Sequence, residues 1–153
     1  MPDAGIVSAF LLIVGLPLTL WGLLYSRRRK IQSYYLDPKG KQGAFEPLLQ
    51  KYLRLAEFTI GLATGSIVLL VGSSVLHGKD GHLPSFYRPP LLLLAGSVLF
   101  GLLFMAFLIL SYEEWQHQDR HTPQAYVTIE ASGYSSLLLF VVGYLSLIWA
   151  VTA

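Results

Sequence analysis

Four apolar stretches without an acidic or basic side chain in their middle make up more than half of this 153-residue chain. Each is about 19 to 23 residues long, and a helix of that length, rising about 1.5 Å per residue, crosses the roughly 30 Å hydrocarbon core of a bilayer. The sequence therefore predicts an all-α fold, an integral membrane bundle of four transmembrane helices in a single domain. The predicted spans are residues 4–25, 58–76, 90–112 and 133–151.

The composition agrees with a membrane protein and argues against several functions. Only 13% of the residues are charged, against about 25% in an average soluble domain. The chain has no cysteine, which excludes thiolate metal sites and disulfide chemistry. Proton relays, voltage sensors, ion-coupled transporters and haem carriers place ionisable residues at depth, and the predicted spans have none. We expect no cofactor, no metal and no nucleic-acid partner.

The basic residues predict the orientation in the membrane. The segment 26–57 carries eight Lys and Arg residues, whereas 77–89 carries two and 113–132 carries one. Because cytoplasmic loops are enriched in Lys and Arg, we expect 26–57 and 113–132 to be cytoplasmic and 77–89 to be external. Both termini would then lie outside a plasma membrane or a bacterial inner membrane.

Two prolines predict helices that start before the apolar spans. Pro47 suits the first turn of a helix, where its missing N–H is not needed, and the apolar residues that follow recur at helical spacing. This pattern predicts an amphipathic lead-in to helix two, either continuous with the span or lying at the interface. Thr122 and Pro123 together have the form of a helix N-cap and first residue, so we expect helix four to start near Pro123.

Small residues recur on one face of each span. They allow helix backbones to approach closely in a membrane, where lipid tails are as apolar as leucine and packing drives association. The stripes fit either a self-contained bundle or a bundle with one stripe facing another chain. The candidate packing residues are Gly15, Gly22, Gly61, Gly65, Gly72, Ser97, Gly101, Ser136 and Gly143.

Helix two joins charged and small residues on a single face. Arg54, Glu57, Gly61 and Gly65 follow one another at steps of three or four residues, and Gly72 continues the series. We therefore expect this face to contact protein, with Arg54 and Glu57 at its cytoplasmic end. Their i,i+3 spacing allows the two side chains to pair.

Two charged clusters are candidates for a site at the cytoplasmic interface. A lipid headgroup would be attracted by basic residues and their neighbours, namely Arg27, Arg28, Arg29, Lys30, Arg54 and Glu57. Candidate acids and bases follow span three, namely Glu113, Glu114, His117 and His121. Glu114 and His117 have the spacing used in di-iron bundles, but one copy without carboxylates in the spans does not predict a metal site.

These observations favour a non-enzymatic scaffold, accessory subunit or oligomerising helix bundle. Its partners would be membrane lipids and either a second copy of the chain or another membrane protein. The alternative is a lipid-headgroup-binding protein or membrane enzyme with a site at the cytoplasmic interface. A second alternative is a transporter or channel for a small neutral solute.

Overall fold

The computed structural model describes residues 4–28, 46–73, 84–118 and 123–152, without the side chains of residues 28, 46–49, 112–118 and 123. Within these residues the chain is helical, and each of four helices is long and apolar enough to cross a membrane. A 3₁₀ turn at Ser85–Tyr87 precedes the third of them. The helices are α1 (Ala4–Arg28), α2 (Glu46–Gly72), α3 (Arg88–Gln118) and α4 (Pro123–Thr152).

The helices begin before the apolar spans or continue past them, as the proline positions predict for two starts, except that α2 ends at Gly72, short of the predicted end of its span at 76. The amphipathic lead-in is continuous with the second span, since α2 is one helix of 27 residues. The predicted start of α4 near Pro123 is confirmed. Polar residues can extend these helices past the apolar segments. The i to i−4 hydrogen bonds join backbone groups and do not depend on apolar side chains.

Helix α3 runs antiparallel to α4 and to α2, and parallel to α1, since Gly5 meets Pro89 and Ile13 meets Gly96. Gly133 of α4 lies against Phe104 of α3, and Gly143, further along α4, lies against Leu93, earlier on α3. The two helices are therefore antiparallel. Ile60 of α2 contacts Gly101 of α3, while Leu70 shares a core cluster with Tyr87, so α2 is also antiparallel to α3.

Helices α3 and α4 form the most extensive pair, and α1 and α2 each pack onto it. Within the described residues, α1 and α2 make at most a marginal contact with each other. The end of the bundle where α1 finishes and α2 begins carries Arg27, Lys51 and Arg54 and is called the basic end below.

The core is divided between the two outer helices. Under α2, the buried cluster comprises Ala63, Leu70, Tyr87, Leu94 and Leu147. Under α1, a smaller cluster comprises Ala9, Leu93 and Leu139. Both clusters include residues of α3 and α4, so the central pair supplies most of the buried surface. Helix α1 packs against this pair with only one of its faces.

Candidate functional site

A pair of serines marks the closest approach of α3 and α4. The Ser97 hydroxyl donates a hydrogen bond to the carbonyl oxygen of Ser136 at 2.8 Å, and the Ser136 hydroxyl donates to the carbonyl of Ser97 at 2.8 Å. Both residues are buried. Such reciprocal bonds require the backbones to lie close together, which small side chains permit.

The space beside the glycines of α3 and α4 is occupied by atoms of neighbouring helices. A Cβ atom at Gly101 would lie 2.9 Å from Ile60 Cγ1, and one at Gly143 would lie 3.1 Å from Leu93 Cβ. Side chains at these positions would overlap their neighbours. The structure therefore brings together the candidate packing residues of the two central helices, namely Ser97, Gly101, Ser136 and Gly143.

The candidate packing glycines of α1 and α2 are different, although Gly5 at the start of α1 does meet Pro89 of α3. Apart from the helix that carries each candidate glycine, no atom of the described chain lies within 4 Å of the place that a Cβ would take. The bundle therefore does not use these positions for packing its own helices. They are Gly15, Gly22, Gly61, Gly65 and Gly72.

The charged and glycine-bearing face of α2 points away from the rest of the chain. The face that packs inward carries Ala56, Thr59, Ala63 and Leu70, all buried. At 3.6 residues per turn, the glycines lie on the opposite side of the helix. We call this side the open face of α2; all of its residues are exposed, and they are Gln50, Arg54, Glu57, Gly61, Thr64, Gly65, Val68 and Gly72.

The inward contact of α2 explains why its own glycines are left outside. Ile60 projects from α2 into the space that Gly101 leaves on α3. The large residue is thus on α2 and the small residue is on α3. A second glycine at this contact would leave a void, because protein interiors pack without large gaps. Among the described residues, the open face has no protein contact of the kind that the sequence predicts.

The candidate headgroup residues are spread over two helices. Arg27 is exposed near the end of α1, and Arg54 and Glu57 are exposed on the open face of α2. The side chain of Arg28 and the whole of Arg29 and Lys30 lie outside the described residues.

The candidate acids and bases after span three are described only in part. Glu113, Glu114 and His117 lie in the last turns of α3, without described side chains, and His121 lies outside the described residues. The i,i+3 spacing places Glu114 and His117 on one face of that helix. In the described part of the chain, no group of three His, Asp or Glu residues is placed to hold a metal ion.

One carboxylate, Glu130, precedes the predicted start of span four at residue 133 and is therefore not among the predicted candidates. Since α4 starts at Pro123, its apolar segment runs over Gln124–Thr152 and includes Glu130. The Oε2 atom of Glu130 is buried. Counting two helical turns from the predicted start at Pro123 would have placed this residue inside the helix.

An interhelical hydrogen bond lies near Glu130. The indole Nε1 of Trp21 on α1 donates to the Thr128 hydroxyl on α4 at 3.3 Å, and the Trp21 ring stacks on Tyr25 at 5.1 Å between centroids. This contact joins α1 to α4 towards the basic end of the bundle. It gives the weakly buried α1 a directional attachment.

No family model matches this chain, and neither the curated proteins nor the solved structures provide a match. The arrangement of the four helices is therefore the basis for a functional proposal. Its most distinctive feature is that atoms of other helices pack against the glycines of α3 and α4, whereas no other described residue packs against those of α2.

Proposed function

We propose that the chain is an integral membrane protein that crosses the bilayer four times and acts as a non-enzymatic scaffold or accessory subunit. It would do so by binding another transmembrane helix through the open face of α2. The observation that carries this proposal is that no other described residue packs against Gly61, Gly65 or Gly72.

The composition of α2 supports a protein contact at this face. Glycine in a helix is less favourable than alanine by about 1 kcal/mol per residue, so glycines facing lipid would weaken the helix without a gain. Other exposed positions of α2 carry large apolar residues of the kind that lipid accommodates, such as Phe58, Leu62 and Leu69. A close-packed partner helix would recover the free energy that the glycines cost.

The length of α2 supports a position in which both ends of this face lie near a membrane surface. Its 27 residues correspond to about 40 Å, longer than the hydrocarbon core of about 30 Å. Arg54 and Glu57 would then lie near the headgroups, and the glycines would lie at depth. The partner would therefore present small or apolar residues in the core and charged residues at the basic end.

Photocrosslinking tests this association. A photoreactive residue in place of Val68, on the open face, is expected to form a discrete protein adduct in the native membrane. The control is Leu62, which is 42% exposed, lies about 120° around the helix from Val68 and is expected to react mainly with lipid. Gly65→Ile should reduce the Val68 adduct about tenfold, a loss of about 1.4 kcal/mol of association. Equal adducts from both positions would contradict the proposal.

The orientation gives a second expected result. Because the chain has no cysteine, single cysteines can report which side of the membrane a residue reaches. A membrane-impermeant maleimide should label Thr152→Cys on intact cells and label Lys51→Cys only after permeabilisation, as the excess of basic residues in the segment 26–57 predicts. The reverse labelling pattern would show that both termini are cytoplasmic.

A further inference from the structure

We infer that the partner of the open face is a second copy of this chain, paired through α2 in a parallel two-fold dimer. In this dimer Arg54 of each copy lies opposite Glu57 of the other. The inference rests on the proposed association and adds the identity and register of the partner.

The membrane restricts how two copies can meet. The excess of basic residues in the segment 26–57 gives every copy the same orientation, so the α2 helices of two copies run parallel and residues of equal depth come together. A two-fold interface uses the same patch on both chains, and that patch must be complementary to itself.

The charges of the open face meet this requirement. Arg54 and Glu57 are exposed, oppositely charged and one helical turn apart on the same face. In a parallel pair, Arg54 of one helix can reach Glu57 of its neighbour, and the two-fold axis repeats this contact. A face with charges of one sign would repel its own copy, whereas this face attracts it in one register.

The middle of the open face is equally suited to a close contact. Gly61 and Gly65 are four residues apart and expose the backbone of α2 on one side of the helix. Thr64 lies between them, exposed, and its hydroxyl makes no hydrogen bond to another described residue, unlike those of Thr59 and Ser66 on the same helix. A neighbouring α2 at short distance would offer a partner for that hydroxyl at a depth without water.

Charge-reversal substitutions test the inference, with dimerisation of the purified full chain measured in phosphatidylcholine vesicles. We expect fluorescence energy transfer between labelled copies of the native chain. Arg54→Glu and Glu57→Arg should each weaken the dimer about tenfold, because both copies then carry like charges at this level. The double variant, with both substitutions, should restore the dimer, and a mixture of the two single variants should form mixed pairs.

The controls distinguish a dimer of this chain from an association of α2 with a different protein. Arg27→Glu changes the same charge on α1, outside the open face, and should leave energy transfer unchanged. Since the double variant contains both substitutions, its recovery shows that neither prevents folding. A native chain that is monomeric in vesicles overturns the second-copy inference, as does a double variant no better than the singles. If Val68 meanwhile forms an adduct with a different protein in the native membrane, the association through α2 stands.

Discussion

Gly143→Val is expected to lower the free energy of unfolding of the bundle by about 3 kcal/mol, at the upper end of the usual range for overpacked cores. A Cβ at this position would lie 3.1 Å from Leu93 Cβ and 3.2 Å from the backbone nitrogen of Leu94. A flexible side chain could move aside, but a backbone atom within α3 cannot move without shifting the helix. Valine adds two further carbons with restricted rotation, so α3 and α4 must separate.

The measurement is unfolding in mixed micelles with increasing sodium dodecyl sulfate, followed by the fluorescence of the three tryptophans. Gly22→Val is the matched control, since nothing outside its own helix lies near that glycine and it is not on the open face of α2. We expect the control to change the unfolding free energy by less than about 1 kcal/mol. Equal losses in the two variants would contradict the packing of α4 on α3.

Leu94→Ala is the second substitution with a large expected effect, a loss of about 2 kcal/mol. Leu94 is fully buried in the cluster under α2, with Ala63, Tyr87 and Leu147 among its neighbours. In water, such a truncation loses both the transfer of the side chain from solvent and its packing contacts. In a bilayer the transfer contribution is small because lipid tails are as apolar as leucine, so the lost contacts dominate.

Leu69→Ala removes the same atoms from a position that is 75% exposed on α2. Lipid or detergent chains can replace the lost contacts there, so we expect a change below about 0.5 kcal/mol. The same unfolding titration measures both variants. If Leu69→Ala were as destabilising as Leu94→Ala, the rotation of α2 about its axis would differ from the one described.

The helices could be predicted because their signals are local. Apolar length predicts four helices long enough to cross a membrane, and the prolines at positions 47 and 123 mark the first turns of α2 and α4. The placement of Glu130 inside α4 follows from the same start but requires the helix to be counted from Pro123 rather than from the apolar run. The described packing contacts could not be predicted in this way, because each joins residues distant in the sequence.

The two small-residue patterns show this most clearly. Ser97 and Gly101 on α3 have the same four-residue spacing as Gly61 and Gly65 on α2, and the sequence treats them alike. Periodicity shows which residues share a helix face, but it does not show which neighbour that face meets. In the structure, Ile60 occupies the space beside Gly101, while no residue in the described ranges occupies the space beside Gly61.

The all-α architecture, the four helices long and apolar enough to cross a membrane, and the early starts of α2 and α4 all follow from the sequence alone. These features depend on hydrophobic length and on backbone hydrogen bonds within one segment. Only the tertiary structure decided that α3 and α4 form the centre and that the charged, glycine-bearing face of α2 is left open. That outcome depends on which large side chain fills which gap, and this is a property of two helices together.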